Sequence, residues 1–287
     1  EKEMKKRTDG IAALFVLPLL FGILLFYCFP FLATIKESFW SEDGFTGIYE
    51  YKKLFMSESF RLSIRNMAVF FLISIPLLFL LSLSTALSMR YLNRKNYKIV
   101  PVLFLLHLLP MLLPSAVITV ILKIFLETYG VLNGFLVEQG KEYINFLYSK
   151  YDIIFLEAIY LWKNYGYCMI VLYGGINGVP EETIECAKLD GAGNFTILIR
   201  MILPQIRSFL LFVGALGIVG VFKIFREAYL LFGKYPYDSV YMLQNFMNNE
   251  LYAMDYGSLS AASLIMIVSF SVFIYFIFLR KGKKNEE

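Results

Sequence analysis

Polar residues are scarce enough in this sequence that each cluster of them asks for a chemical reason. The stretch YLWKNYGY places Trp162, Lys163, Asn164 and Tyr165 in an apolar setting, and VFKIFREAYL does the same for Lys223, Arg226, Glu227 and Tyr229. A charge drawn to bilayer depth costs about 2.5–3.5 kcal/mol or more, so such residues either pair with one another or line a solute pathway. Lys223 and Glu227 stand four apart, which on a helix allows an internal ion pair. The same cations could instead contact an anion. His107 lies among leucines, where a hydrogen-bonded structural imidazole is the plainer reading and a pathway role the sharper one. An embedded enzyme would need Lys163, Glu157 or His107 for acid–base work.

Other chemistries find little support. The sequence has no GxxxxGK[ST] run, so no nucleotide-binding site is expected; its paired glycines read as turns. No catalytic triad can be assembled around one histidine. Cys28, Cys168 and Cys186 are far apart and lack ligand spacing, so no metal site is predicted and the three read as small apolar fillers. The net charge of +4 is too small to argue for nucleic acid.

The elements that must hold these residues are membrane helices. Of 287 residues 58% are hydrophobic and only 17% charged, with a mean hydropathy of +0.63. A typical soluble domain carries about 25% charged residues. Apolar runs at about 11–32, 67–89, 99–121, 153–176, 206–231 and 257–279 each reach the ~20 residues that cross a ~30 Å hydrocarbon core. The first run is too long for the apolar part of a signal peptide and no A-x-A site follows it, so it too is expected to span. The fold class is therefore an all-α membrane protein of six transmembrane helices, forming a single domain over 1–287. Pro18, Pro76, Pro110 and Pro114 fall inside the runs and are tolerable there, because neighbouring helices re-satisfy the freed carbonyls.

Charge then orients the spans. Lys2, Lys5, Lys6 and Arg7, then Arg90, Arg94, Lys95 and Lys98, then Lys188, Arg200 and Arg207, then Arg280, Lys281, Lys283 and Lys284 fall on one side if six spans alternate. These are fifteen of the 27 cations, and the positive-inside rule puts both termini and residues 177–205 in the cytoplasm. Within that loop, Pro180 suits a first helical position, Glu181 and Glu182 suit the positive end of the dipole, and Gly191 suits a left-handed stop. A second short amphipathic segment is predicted over Ala192–Leu203, with Pro204 before the fifth span.

The loop resembles the EAA motif of binding-protein-dependent ABC importer permeases. Glu185-Cys186-Ala187, then Gly191 after three residues, then Met201-Ile202-Leu203-Pro204 after nine more reproduce its spacing, and Asp190-Gly191-Ala192 its DGA centre. Cys186 replaces the middle alanine and Met201 an isoleucine. FTGIYEYKKLF, SIRNMAVFF and LLPMLLPSAVITVILKIF extend the likeness over roughly 11–280 to the carbohydrate-uptake, MalF/UgpA-like branch, although Glu50 stands for an asparagine and Gly233-Lys234-Tyr235-Pro236 for a GGP turn.

That resemblance implies a type I ABC importer permease fold in a bacterial or archaeal cytoplasmic membrane. It implies one of two homologous permease subunits, partnered by a cytoplasmic ABC ATPase dimer and an extracytoplasmic solute-binding protein. ATP and magnesium would sit on the ATPases and no cofactor on this chain. Glu185, Ala187, Asp190, Gly191, Ala192, Leu203 and Pro204 would couple to the ATPase, with Ile184 and Ala187 packed into its groove. Trp162, Lys163, Asn164, Tyr165, Lys223, Arg226, Glu227 and Tyr229 would line the pathway, the aromatics stacking on sugar faces or merely packing together. Glycerol phosphate esters are the alternative solute, an embedded enzyme or a scaffold the alternative class. Small residues of the last two spans, Gly214, Gly217 and Gly220 and then Gly257, Ser258, Ser260, Ala261 and Ala262, would admit the partner permease.

Overall fold

The computed structural model describes residues 15–41, 44–148 and 152–278, and the secondary structure is almost wholly helical. The terminal cations Lys2, Lys5, Lys6, Arg7, Arg280, Lys281, Lys283 and Lys284, and residues 11–14 and 279 of the predicted outer spans, lie outside the described residues. Helix is the expected outcome for these apolar runs, because hydrocarbon offers no partner to an unpaired backbone amide.

Among the described residues, five helical stretches are long and apolar enough to cross a membrane: Phe15–Phe39, Glu58–Arg94, Ser115–Glu138, Arg207–Phe232 and Tyr256–Phe273. Asp152–Asn177 has the length at 26 residues, but Glu157, Lys163, Asn164 and its tyrosines dilute its apolar character. The predicted run 99–121 is not one helix. It splits into Val100–Leu112 and Ser115–Leu126, because Leu113 adopts ψ 130° and Pro114 ψ 140°. A residue ahead of proline is pushed out of the α region, and here that preference ends the helix. Pro76 and Pro110 instead stay within their helices.

The chain packs as two compact units. One holds the described residues up to Arg61 together with Met247–Phe273; the other holds Leu62–Phe246 and the described residues from Ile274. In the first, a short antiparallel pair sets Trp40 opposite Phe45, and the helix Tyr49–Met56 is tied down by polar contacts. Lys53 Nζ lies 2.5 Å from Asp255 Oδ2 and 3.6 Å from Glu50 Oε2, and the Asp255 carboxylate also accepts from Ser258. Burial on its own would raise the Asp255 carboxyl, yet the hydrogen bonds from Lys53 and Ser258 outweigh it and hold Asp255 below its ordinary range. Burial would likewise lower the Lys53 ammonium, but Asp255 and Glu50 together raise it.

The second unit centres on the helix Asp152–Asn177, whose buried face carries Leu156, Ile159, Tyr160, Met169, Leu172 and Ile176. Val100–Leu112 and Arg207–Lys223 pack beside it. The Tyr160 hydroxyl donates to the Gly217 carbonyl at 2.8 Å, which fixes one approach. A Cβ on Gly217 would sit 2.8 Å from Leu78 and one on Gly220 2.9 Å from Asn164 Oδ1. The predicted use of these glycines by a partner permease is therefore corrected: the close approach they allow is taken up inside this chain. Gly257 is occupied in the same way against Glu50, and Ala261 and Ala262 are fully buried.

A candidate coupling loop and a charged intramembrane junction

The loop helix runs over Glu181–Leu189, with Pro180 as its cap, Glu181 and Glu182 in the first turn and Lys188 in the last. Gly191 takes φ +83°, a conformation that favours glycine, and the chain closes in a Schellman pattern. The Gly191 amide donates to the Lys188 carbonyl at 3.0 Å and the Ala192 amide to Ala187 at 2.9 Å. Helix resumes at Asn194 rather than Ala192, and Leu198–Ile202 forms a π-turn just before Leu203-Pro204. The proline ring would crowd the carbonyl four residues back, at Arg200, and the wider turn relieves it.

Burial divides the loop helix into two faces. Ile184 and Ala187, three apart, are buried within this chain's own core, with the 194–205 segment supplying Ile197 and Ile202. The expectation that Ile184 and Ala187 enter an ATPase groove is thus corrected: the apolar side of an amphipathic helix is already satisfied here. Glu185, Cys186, Asp190 and Gly191 face outward, together with Leu189 at 89% and Phe195 at 77% exposure. Ala192 and Leu203 are half-buried and Pro204 is exposed. Leu189 and Phe195 carry apolar surface that the EAA spacing alone did not single out.

The loop is anchored from the end of the 37-residue helix Glu58–Arg94. At about 55 Å that helix outruns the ~30 Å hydrocarbon core, so its last turns extend beyond it. The buried Arg90 guanidinium donates to the carbonyls of Ile176 at 2.5 Å and Val179 at 3.0 Å, capping Asp152–Asn177, and Arg94 pairs with Glu181. Two segments that the charge pattern assigned to one side therefore touch. A cavity of about 510 Å³ lies between them, bordered by Arg90, Arg94, Lys188 and Phe195.

The second site forms where three elements meet. Lys163 Nζ lies 2.5 Å from Glu227 Oε1 and donates to Ser115 Oγ at 3.1 Å, and Ser115 Oγ donates to Glu227 Oε1 at 2.6 Å. The carboxylate of Glu227 therefore pairs with Lys163, not with Lys223 as the four-residue spacing suggested. Ile224, between Lys223 and Phe225–Phe232, keeps right-handed helical dihedrals, so the four-residue spacing was available and it is the lysine of another helix that takes the carboxylate. Ser115 was missed at the sequence level; its signal is a hydroxyl directly after the proline that breaks the third apolar run.

A pocket of about 200 Å³ adjoins this junction, lined by Ser115, Lys163, Asn164, Lys223, Arg226 and Glu227 among others. Five of the eight predicted pathway residues thus come together. Trp162, Tyr165 and Tyr229 are not part of that lining. Trp162 is exposed, Tyr165 meets the His107 ring at 5.6 Å, and Tyr229 meets Phe225 at 5.6 Å. His107 Nδ1 lies 2.6 Å from the Leu103 carbonyl, the structural role that was the plainer reading. Glu157 accepts from Ser74 at 2.7 Å, so the three residues considered for acid–base chemistry each engage a different partner.

The fold and these sites define a membrane permease of the ABC-importer type. Residues 80–281, more than two thirds of the chain, match the family described as the binding-protein-dependent transport system inner membrane component, and the chain belongs to that family. It is 25% identical to the trehalose/maltose transport system permease protein MalF of Thermococcus litoralis, over 98% of this chain and 96% of that one. Its fold is that of a chain in a bacterial ABC transporter involved in the import of the acidic polysaccharide alginate (TM-score 0.84, 21% identity, 96% and 97% of the two chains covered). A second structure, the bacterial alginate transporter in complex with its pentasaccharide-bound periplasmic protein, matches at TM-score 0.81 and 21% identity, over 96% and 94% of the chains.

Proposed function

We propose that this chain is one permease subunit of an ATP-driven importer, forming half of the translocation pathway for a carbohydrate delivered by an external binding protein. The family match over residues 80–281 carries the reading, and the names of the relatives support the carbohydrate class. In this reading the two units belong to a single transmembrane domain of six crossings, the third being shared by Val100–Leu112 and Ser115–Leu126. Both termini and the 177–205 loop face the cytoplasm.

The outward face of Glu181–Leu189 docks on an ABC ATPase. Glu185 accepts charge-assisted hydrogen bonds from a basic residue of the ATPase, Leu189 and Phe195 supply apolar contact, and Ala187, Ala192, Leu203 and Pro204 hold that face in place. ATP and magnesium are bound by the ATPase dimer, whose closure shifts the permease pair between inward- and outward-facing states. This chain supplies no catalytic residue and binds no cofactor.

The test is co-purification of the full complex. Glu185→Lys or Leu189→Glu is expected to reduce ATPase recovery at least tenfold, whereas full recovery with both variants removes the coupling role. Cys186, exposed on the same helix, reports the side: a membrane-impermeant maleimide is expected to label it in inside-out vesicles only. Labelling from the outside of intact cells would reverse the orientation.

A further inference from the structure

The pocket beside Ser115 holds more positive charge than its surroundings compensate. Lys163, Lys223 and Arg226 line it with one carboxylate, Glu227, and of these three cations only Lys163 pairs with that carboxylate, at 2.5 Å beside the Ser115 hydroxyl. Among the described residues neither Lys223 nor Arg226 has an ion pair or a hydrogen bond. They stand three apart, are both exposed, and border the same space. An unmatched charge within a membrane span is costly, and two cations bordering one pocket add mutual repulsion.

A neutral sugar does not remove that cost, because its hydroxyls hydrogen-bond a cation without compensating its charge. A carboxylate or phosphate does both. Arg226 can present two parallel N–H donors to either group while Lys223 acts as a point charge. The Lys163–Glu227 pair and Ser115 then form a neutral polar wall able to take hydroxyl contacts from the rest of the ring.

We infer that the pathway selects a saccharide bearing an anionic group, a uronate or a sugar phosphate, with Lys223 and Arg226 as its charge-recognising contacts. This rests on the importer reading above. It is tested in proteoliposomes containing both permeases, the ATPases and the binding protein, by comparing ATP-driven uptake of a neutral oligosaccharide, an oligouronate and a sugar phosphate. The expected result is an anionic substrate taken up at least tenfold faster than the neutral one, with the faster of the two anions naming the group. K223Q/R226Q collapses that ratio towards one and K223R/R226K retains it. Equal or faster uptake of the neutral sugar by the wild type overturns the inference, as does an unchanged ratio in K223Q/R226Q. The wild-type ratio decides alone where the glutamine variant does not assemble. If none of the three saccharides is imported by a complex that assembles and hydrolyses ATP, the carbohydrate reading itself falls, and the inference with it.

Discussion

Lys163, Glu227 and Ser115 come from three helical elements, and each satisfies part of what the others need. Removing one member of such a buried pair leaves an uncompensated charge, at a cost of about 3–5 kcal/mol when burial is complete. Here the side chains retain 17% and 6% exposure, so a value at the lower end is expected. K163M and E227Q should each lower the thermal midpoint of the purified complex, whereas K163M/E227L should recover most of the loss. Additive losses in the double variant would show that the pair is not coupled. Every charged residue of this site was visible in the sequence as an interruption of an apolar run. The choice of partner was not, because spacing along one helix says nothing about a lysine arriving from another.

At the scale of elements, the loop helix depends on its two ends. Gly191 at φ +83° admits no comfortable Cβ, and alanine there is expected to cost about 1–2 kcal/mol. Gly191→Ala should expose the 190–194 turn to limited proteolysis, with Gly191→Asn intermediate; equal protection of all three would count against the stop. The two arginines that anchor the loop should differ. Arg94–Glu181 joins side chains 34% and 50% exposed, a pair worth about 0–1 kcal/mol. Arg90 is buried on two carbonyls, and charged hydrogen bonds of that kind are worth about 1.5–3 kcal/mol. Arg90→Ala is therefore expected to uncouple ATP hydrolysis from transport far more than Arg94→Ala, and matching phenotypes would refute the distinction. The helix, its glycine stop and its proline-bounded exit were all legible in the sequence. Which face it buries was not, since Ile184 and Ala187 suit an intramolecular core and a partner's groove equally well.

For the molecule as a whole, lipid makes the spans readable and packing decides where they break. Pro76, Pro110 and Pro114 carry the same local signal, yet only Pro114 marks a break, with Ser115 then turned into the charged junction. Acid stability can also be placed. Asp255, held below its ordinary 3.8, contributes stability above that value that is lost as pH falls through its folded pKa. Lys53, raised above 10.5, contributes below that value and loses it as pH climbs through its folded pKa. Between those limits the pair is flat. Glu250 runs the other way: burial, then the nearby Asp255 carboxylate, raise its carboxyl despite Lys53, so stability declines as pH rises from 4.5 through its folded value. Glu250→Gln should raise the thermal midpoint at pH 7.5 and leave it unchanged at pH 4; a rise of equal size at both would exclude the carboxylate as the cause.

The Arg90 clamp also has a consequence during synthesis. Its first acceptor, the Ile176 carbonyl, lies 86 residues further along the chain. At about 5–20 residues per second the ribosome needs about 4–17 s to make that stretch. Through that interval a guanidinium near the end of a newly inserted helix must be solvated by water and lipid headgroups, where a long side chain can snorkel. The clamp closes only once the fourth apolar segment has emerged, so the loop helix that follows it is set only after more than half of the chain has been made.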